Sequence, residues 1–494
     1  MPQFALFVWP FIATFLIRSL GRTKGIVCAL MIGALFLPEA YQFDLPGLPP
    51  LNKEMSILLG LLFGLWITRS EQKKVENRDG TGDPLVRTIV LSLPALVLLS
   101  AVLTVMNNGE RVVDGPTVIQ GLGIREMITM LTQSALLLGP FVIAQRYLSE
   151  PEHHLLLLRL FITIGFAYSL LILFEVRMSP QLHTWVYGYF QHSWHQHLRG
   201  GAFRPIVFLE HGLILGMFIM ICLMAAFILL RGNLDEKKSR IFYLFMGFWF
   251  MAVLAVSRNF GATIIAFGLL PLLWFLTTRM QIRIATGIMI FFMIFPALRQ
   301  TEVITFERAV AVVGQISDDR QRSFVHRLEN EARFMERLSA KPITGWGIWG
   351  RWRVRDPVTG EDISTSDGRW MSVLGERGWF GFLTYFGLMM FPVILLWRTA
   401  RRREVPMETA GIAMILCAIT LYQINTNSIG ALSTVFAGAL AGFVWRAPRQ
   451  EQTAEQGVRS PPPERRTSYS RFPVESSTER HMRFHRSRRG KTQV

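Results

Sequence analysis

The sequence predicts an all-α, polytopic membrane protein with twelve or thirteen transmembrane helices and one large, partly helical external loop. Three observations carry that expectation. Hydrophobic residues make up 51% of the 494 residues and charged residues only 18%, against about 25% charged in soluble domains. Long apolar runs recur from the first residues to near position 445, most of them long enough to cross a hydrocarbon core of roughly 30 Å. Positive charge is also distributed unevenly between the runs. A soluble cytoplasmic enzyme is excluded.

The runs fall near 3–17, 25–37, 55–68, 86–106, 126–145, 155–176, 206–230, 241–256, 260–278, 284–298, 371–397, 408–424 and 429–445. Several early ones are short, so tilted or partly re-entrant segments are expected among them. The three cysteines (Cys28, Cys222 and Cys417) lie inside apolar runs and offer no disulfide framework or metal knuckle. The first run lacks a basic leader and a small-residue cleavage site, so no cleavable signal is expected. If the runs alternate and residues from Arg446 onward are inside, the short inside connections hold 20 Lys and Arg and the outside ones 7. The positive-inside rule then fixes the orientation in the membrane. Thirteen spans put the N-terminus outside. Twelve put it inside, if the run from Phe4 to Ile17 only lies in the interface.

Residues 1–445 thus form the transmembrane domain, and two regions escape the lipid. Residues 446–494 carry twelve Lys and Arg against five acids, with Pro461-Pro462-Pro463 and many Ser, Thr and Gln. A disordered basic cytoplasmic tail is expected, drawn to anionic lipids rather than to nucleic acid. Residues 299–370 form a large loop on the outside, periplasmic if the membrane is a bacterial inner one, and far longer than an ordinary connection. Within it Phe324, Leu328, Met335 and Leu338 fall on one helical stripe that Lys341-Pro342 ends. That pattern predicts an amphipathic helix on the outer membrane surface.

The outside face concentrates the groups that could do chemistry. His192, His195 and His197 lie within six residues, but no Cys or acid stands beside them at ligand spacing, and no metal is expected. Arg199 and Arg204 sit where the next span begins, with His211 about two turns further in. Ser257-Arg258-Asn259 joins two apolar runs with almost no loop. An arginine there either snorkels to the interface or waits as a fixed guanidinium for an anion such as phosphate. The long loop ends in Pro342-Ile343-Thr344-Gly345-Trp346-Gly347-Ile348-Trp349-Gly350, with Arg351, Arg353 and Arg355 following. Its glycines suit a tight turn and its tryptophans the headgroup level. Asp367 lies just before the span that opens through Leu374-Gly375-Glu376-Arg377-Gly378-Trp379-Phe380-Gly381. It is either the N-cap of that helix or a carboxylate placed to meet a substrate hydroxyl.

In their order these features resemble the O-antigen ligase and polysaccharide polymerase family of GT-C type membrane glycosyltransferases. The resemblance covers roughly residues 190–400. It implies an inverting, metal-independent transfer, without a cofactor, from an undecaprenyl-diphosphate-linked glycan. Arg258, Arg204 and Arg199 would bind the diphosphate. Asp367, or His326 from the loop helix, would take the proton of the attacking sugar hydroxyl. Trp346, Trp349 and Trp370 would stack on sugar rings or anchor the loop in the interface. The family's ligases carry a His-Asn pair ahead of the Leu-x-Glu-x-Gly span, where this chain has Asp367-Gly368. That departure favours a polymerase of exopolysaccharide or O-antigen repeat units over a ligase. The family's twelve spans would discount the first run. Beyond glycan and lipid, other polysaccharide export proteins are candidate partners.

A multispan transporter or flippase for lipid-linked glycans is the main alternative. Transporters place ionisable groups near the bilayer midplane, whereas residues 206–298 offer only Glu210 near one end and Arg258 at a turn. A non-catalytic scaffold for export would account for the basic tail but not for the outside arginines.

Overall fold

The computed structural model describes residues 1–44, 49–71, 84–199, 202–232, 236–300, 310–311, 314–315, 318–364, 368–424, 426 and 431–446. All belong to one compact unit, Met1–Pro448. The tail expected to be disordered, and Asp367 of the site, lie outside the described residues.

Each apolar run is a helix. In chain order they are α1 (Pro2–Leu20), α2 (Arg22–Phe36), α3 (Lys53–Ile67), α4 (Pro84–Met106), α5 (Ile124–Tyr147), α6 (Pro151–Met178), α8 (Gly212–Gly232), α9 (Lys237–Val256), α10 (Phe260–Phe275), α11 (Thr278–Gln300), α13 (Arg369–Arg402), α14 (Met407–Tyr422) and α15 (Ala431–Trp445). The short α7 (Leu182–Tyr187) and the loop helix α12 (Asp318–Ser339) complete the set. Eight are long and apolar enough to cross a membrane: α1, α4, α5, α6, α8, α9, α11 and α13. α1 is among them, so nothing in its length or composition discounts the first run. The fold is an all-α, multi-pass membrane protein.

Helix ends gather at two levels, as alternation requires. At one end Arg22 Nε donates to Thr68 Oγ1 at 3.3 Å, Arg231 Nη1 to the Leu276 carbonyl at 2.6 Å and Arg446 Nη1 to Glu150 at 3.3 Å. These are the Lys- and Arg-rich connections, and we call this the basic end. At the other, the loop end, Tyr187 Oη donates to the Phe36 carbonyl at 2.6 Å and Thr104 Oγ1 to that of Thr344 at 2.8 Å.

In lipid the helices gain little from hydrophobic burial, so close approach must come from small residues. Gly438 and Gly442 of α15 lie against the Phe141 and Gln145 carbonyls of α5, where an added Cβ would come within 2.2 Å of each oxygen. Gly60 and Gly64 of α3 do the same against Ala13, Thr14 and Ile17 of α1. Phe4, Phe11 and Phe15 of α1 and Phe242, Phe245 and Phe248 of α9 are exposed, which suits a lipid-facing surface.

α13 is not one rod. Gly378 has φ 62° and ψ −167°, outside any helix. Arg369 Nε nevertheless donates to Tyr385 Oη at 3.3 Å, and its guanidinium lies 5.3 Å from that ring's centre. Sixteen residues of unbroken helix would separate them by about 24 Å, beyond the reach of two side chains. Residues 369–377 therefore fold back beside 379–402 as a re-entrant half-helix.

The break frees backbone groups, which a membrane protein must satisfy internally. Pro342–Gly347 does this. Trp346 N and Gly347 N donate to the Gly375 and Glu376 carbonyls at 2.8 and 2.9 Å. Trp379 N and Phe380 N donate to the Pro342 and Ile343 carbonyls at 2.7 and 3.1 Å. The glycine-tryptophan turn is thus a strap across the break in α13, and its role is not confined to the membrane surface.

The strap is itself tied to the 107–123 connection. That connection carries the hairpin of β1 (Val112–Asp114) and β2 (Thr117–Ile119), turning at Gly115 with φ 58°. Arg337 of α12 pairs bidentately with Asp114 at 2.8 and 3.1 Å. Arg351 is fully buried and donates to the carbonyls of Trp346, Gln120 and Glu110 at 2.9, 2.6 and 3.0 Å. Lys341 bonds Asn108 Oδ1 at 2.9 Å and pairs with Glu110, whose carboxyl it holds below the usual range. α12 is helical as its stripe predicts, but its apolar face is not left for the membrane surface. Phe334, Met335 and Leu338 are buried, with Phe334 5.7 Å from Trp352 and 6.5 Å from Trp370. Its C-terminal half is a strut inside the loop.

Candidate functional site

The site lies where several helices end short at the loop end. α10 and α14 have sixteen residues each, about 24 Å of helix, while α6 with 28 residues is about 42 Å long. Tyr385 is seven residues past Gly378, so Arg369 sits about 10 Å along that helix from the strap. The connections at the loop ends of these helices form the floor of the site.

The N-terminus of α8 is the centre of that floor. His211 caps it: the His211 carbonyl accepts from Ile214 N at 3.0 Å, and His211 Nδ1 accepts from Leu213 N at 3.0 Å. Two glycines of α8 then admit polar neighbours. Gly212 makes room for the buried Arg204, whose Nε would lie 2.6 Å from a Cβ there. Gly216 makes room for Asn259, whose Nδ2 would lie 1.7 Å away. Asn259 Nδ2 donates to the Gly212 carbonyl at 2.9 Å, and Tyr422 Oη donates to Asn259 Oδ1 at 2.9 Å.

These bonds fix the α9–α10 turn on α8, and with it Arg258. Arg258 is exposed and has φ 55°, a strained backbone for a residue with a Cβ and one that collects at functional sites. Arg369 joins from the other side, its N–H bonded to the carbonyls of Gln423 and Thr426 at 3.1 and 2.8 Å. Glu210 is exposed and within electrostatic reach of Arg369. Arg204 thus lies on the first turn of α8, Arg258 sits in the turn that Asn259 ties to Gly212, and Arg369 opens the half-helix. Both helix N-termini carry partial positive charge, so this part of the loop end suits an anion with several oxygens.

The residues expected from the sequence divide as follows. Arg204 and Arg258 come together. Arg199 lies in β3 (Leu198–Arg199), paired with Ala202 of β4 (Ala202–Phe203). His326 is exposed on α12, about 12 Å along the helix from Phe334, and no described bond links it to the arginines. The N-cap of α13 is Gly368, and the expectation for Asp367 lies outside the described residues. Trp370 is 2% exposed against Phe295 and Phe334, which leaves no face for a sugar. Trp346 has Arg337 4.1 Å and Lys341 5.1 Å from its ring centre and donates its Nε1–H to the Arg337 carbonyl. Trp349 is 59% exposed and keeps both expected roles open.

His192, His197 and His211 gather with ring centres 4.8, 5.2 and 5.6 Å apart. His211 thus joins two of the sequence trio. Among the described residues no group of His, Cys, Asp or Glu is placed to hold a metal ion. His211 Nδ1 is already spent on its cap.

Neither Arg369 nor Glu210 carries a local sequence signal that marks it as a site residue. Arg369 reads as an ordinary basic flank of a span, and only the break at Gly378 turns it inward. Fold and site together define a multi-pass membrane protein with Arg204, Arg258 and Arg369 on elements that meet at its loop end. Comparison of the chain with protein families, with curated proteins and with solved structures gave no match.

Proposed function

We propose that the chain is a bacterial inner-membrane glycosyltransferase. It moves a glycan from undecaprenyl diphosphate to the hydroxyl of an acceptor sugar on the periplasmic face, polymerising exopolysaccharide or O-antigen repeat units. The observation that supports this reading is the placing of Arg204 on the first turn of α8, beside the turn that carries Arg258, with Arg369 opening the half-helix at the same loop end. A diphosphate has the charge and the spread of oxygens that such a set would neutralise.

In this reading the acceptor oxygen attacks the anomeric carbon from the face opposite the diphosphate. The bond from that carbon to the diphosphate oxygen breaks, and its electron pair leaves with the diphosphate. The arginines stabilise the growing charge. The hydroxyl proton passes to a base, for which Asp367 remains the first candidate and His326 the second. Asp367→Asn is expected to leave membrane level unchanged and to cut turnover at least about 100-fold, within the range of general-base contributions. Activity near wild type would move the search to His326 and to Glu210.

The charge asymmetry supports a cytoplasmic basic end and a periplasmic loop end. An alkaline phosphatase fused after Arg446 is expected to be inactive and one inserted near Asp319 active. The reverse pattern would place the site on the wrong face for this donor.

The re-entrant half-helix favours a second reading, a transporter or flippase, because discontinuous helices with N-termini at a binding site occur in transporters. Deletion followed by gel analysis of lipid-linked and exported glycans separates the two. Single repeat units exposed on the periplasmic side indicate a polymerase; units retained on the cytoplasmic side indicate a flippase.

A further inference from the structure

We infer that Glu175 is a positioning residue that holds Arg204 over the first turn of α8 by pinning a strained turn beside it. The inference deepens the anion-site reading of Arg204 and rests on it. Glu175 stands in the last turn of α6 and is fully buried. Its Oε2 accepts from Ile206 N at 3.0 Å and Val207 N at 2.7 Å, and its Oε1 from Leu182 N at 3.1 Å. One carboxylate therefore ties the start of the 179–211 connection to the turn that follows Arg204.

That turn needs holding. Val207 has φ 54°, a conformation that a β-branched residue adopts only under constraint. Beyond the carboxylate, Gln191 Nε2 donates to the Val207 carbonyl at 3.0 Å, and Phe208 N donates to Tyr168 Oη at 3.2 Å. Val207 is three residues from Arg204 and four from the cap His211. Were it to relax to negative φ, the chain would leave Arg204 in a new direction and lift its side chain from Gly212. A glutamine at 175 could not replace the carboxylate, because its NH2 group would face one of three N–H donors. The strain and the buried charge thus meet at the residue that sets one arm of the cationic site.

The experiment uses the full chain in its own bacterium and, purified, in lipid nanodiscs. In Glu175→Gln, hydrogen exchange at Ile206 and Val207 is expected to quicken about tenfold or more, the scale of one lost charge-assisted bond. Exported polymer should fall by a similar factor at unchanged membrane level. Adding Val207→Gly removes the strain, because glycine accepts positive φ. Glu175→Gln/Val207→Gly is therefore expected to recover most of the exchange protection and of the polymer, a rescue that a general packing role would not give. Unchanged exchange in Glu175→Gln overturns the inference, and so does failure of Val207→Gly to rescue. Normal polymer in Arg204→Ala would instead overturn the anion-site reading, while the exchange data would still judge whether Glu175 pins the turn.

Discussion

Arg258→Ala is expected to lower the proposed transfer by more than about 100-fold, the scale of removing one preorganised donor to a developing charge. Arg258 is exposed, and Asn259, Gly212 and Tyr422 hold the turn through bonds of their own. Membrane level and melting temperature should therefore stay close to wild type. Arg258→Lys keeps the charge but loses the planar fork that grips two oxygens at once, so it too should be severely impaired. Arg258→Gly is the informative third variant. It relieves the φ of 55°, so it should be no less stable than wild type and still inactive. Strain retained at the cost of stability is expected where the side chain has a task. The measurement is exported polymer against lipid-linked single units. Full polymer in Arg258→Ala would remove the diphosphate clamp from the proposal and leave Arg204 and Arg369 without a shared purpose.

How much of this was legible beforehand depended on whether the signal was local. The thirteen helices follow from apolar run length, which a single sequence displays directly. The Ser257-Arg258-Asn259 turn was legible because a charge between two spans with no loop is costly anywhere. Arg351 was read as one of three external arginines, yet it is buried and spent on three carbonyls. Its partners are Trp346 nearby and two residues of another connection more than 200 positions away. Trp370 misled for the opposite reason. A tryptophan at a span's edge usually marks the interface, and here the fold-back of residues 369–377 carries it inward. Glu175 shows no motif, because its function is to accept hydrogen bonds from a segment that begins about 30 residues later.

The two glycine motifs were both visible, but that they are halves of one joint was not. Gly378→Ala is accordingly expected to have a large structural effect for a single methyl group. Gly378 has φ 62° and ψ −167°, a region essentially closed to residues with a Cβ. An added Cβ would lie 2.4 Å from the carbonyl carbon and oxygen of Ile343, which are backbone atoms of the strap and cannot rotate away. Strain and clash together should cost more than about 3 kcal/mol. The four bonds between Pro342–Gly347 and residues 375–380 would open, leaving backbone groups unsatisfied near the membrane edge. Gly345→Ala should act alike, because Gly345 has φ 65° and its Cβ would meet Gly378 N at 2.5 Å. If both glycines serve one joint, the double variant should lose less stability than the two single losses combined. Gly387→Ala, on the regular part of the same helix, meets the Phe391 ring at 3.2 Å and Leu93 Cδ2 at 3.8 Å, both side chains that can give, and should be nearly neutral. Melting in nanodiscs and protease cleavage within 340–350 report the outcome. Equal stability of Gly378→Ala and Gly387→Ala would mean that the break in α13 is not held by the strap. The inward placement of Arg369, which depends on that break, would then have to be given up as well.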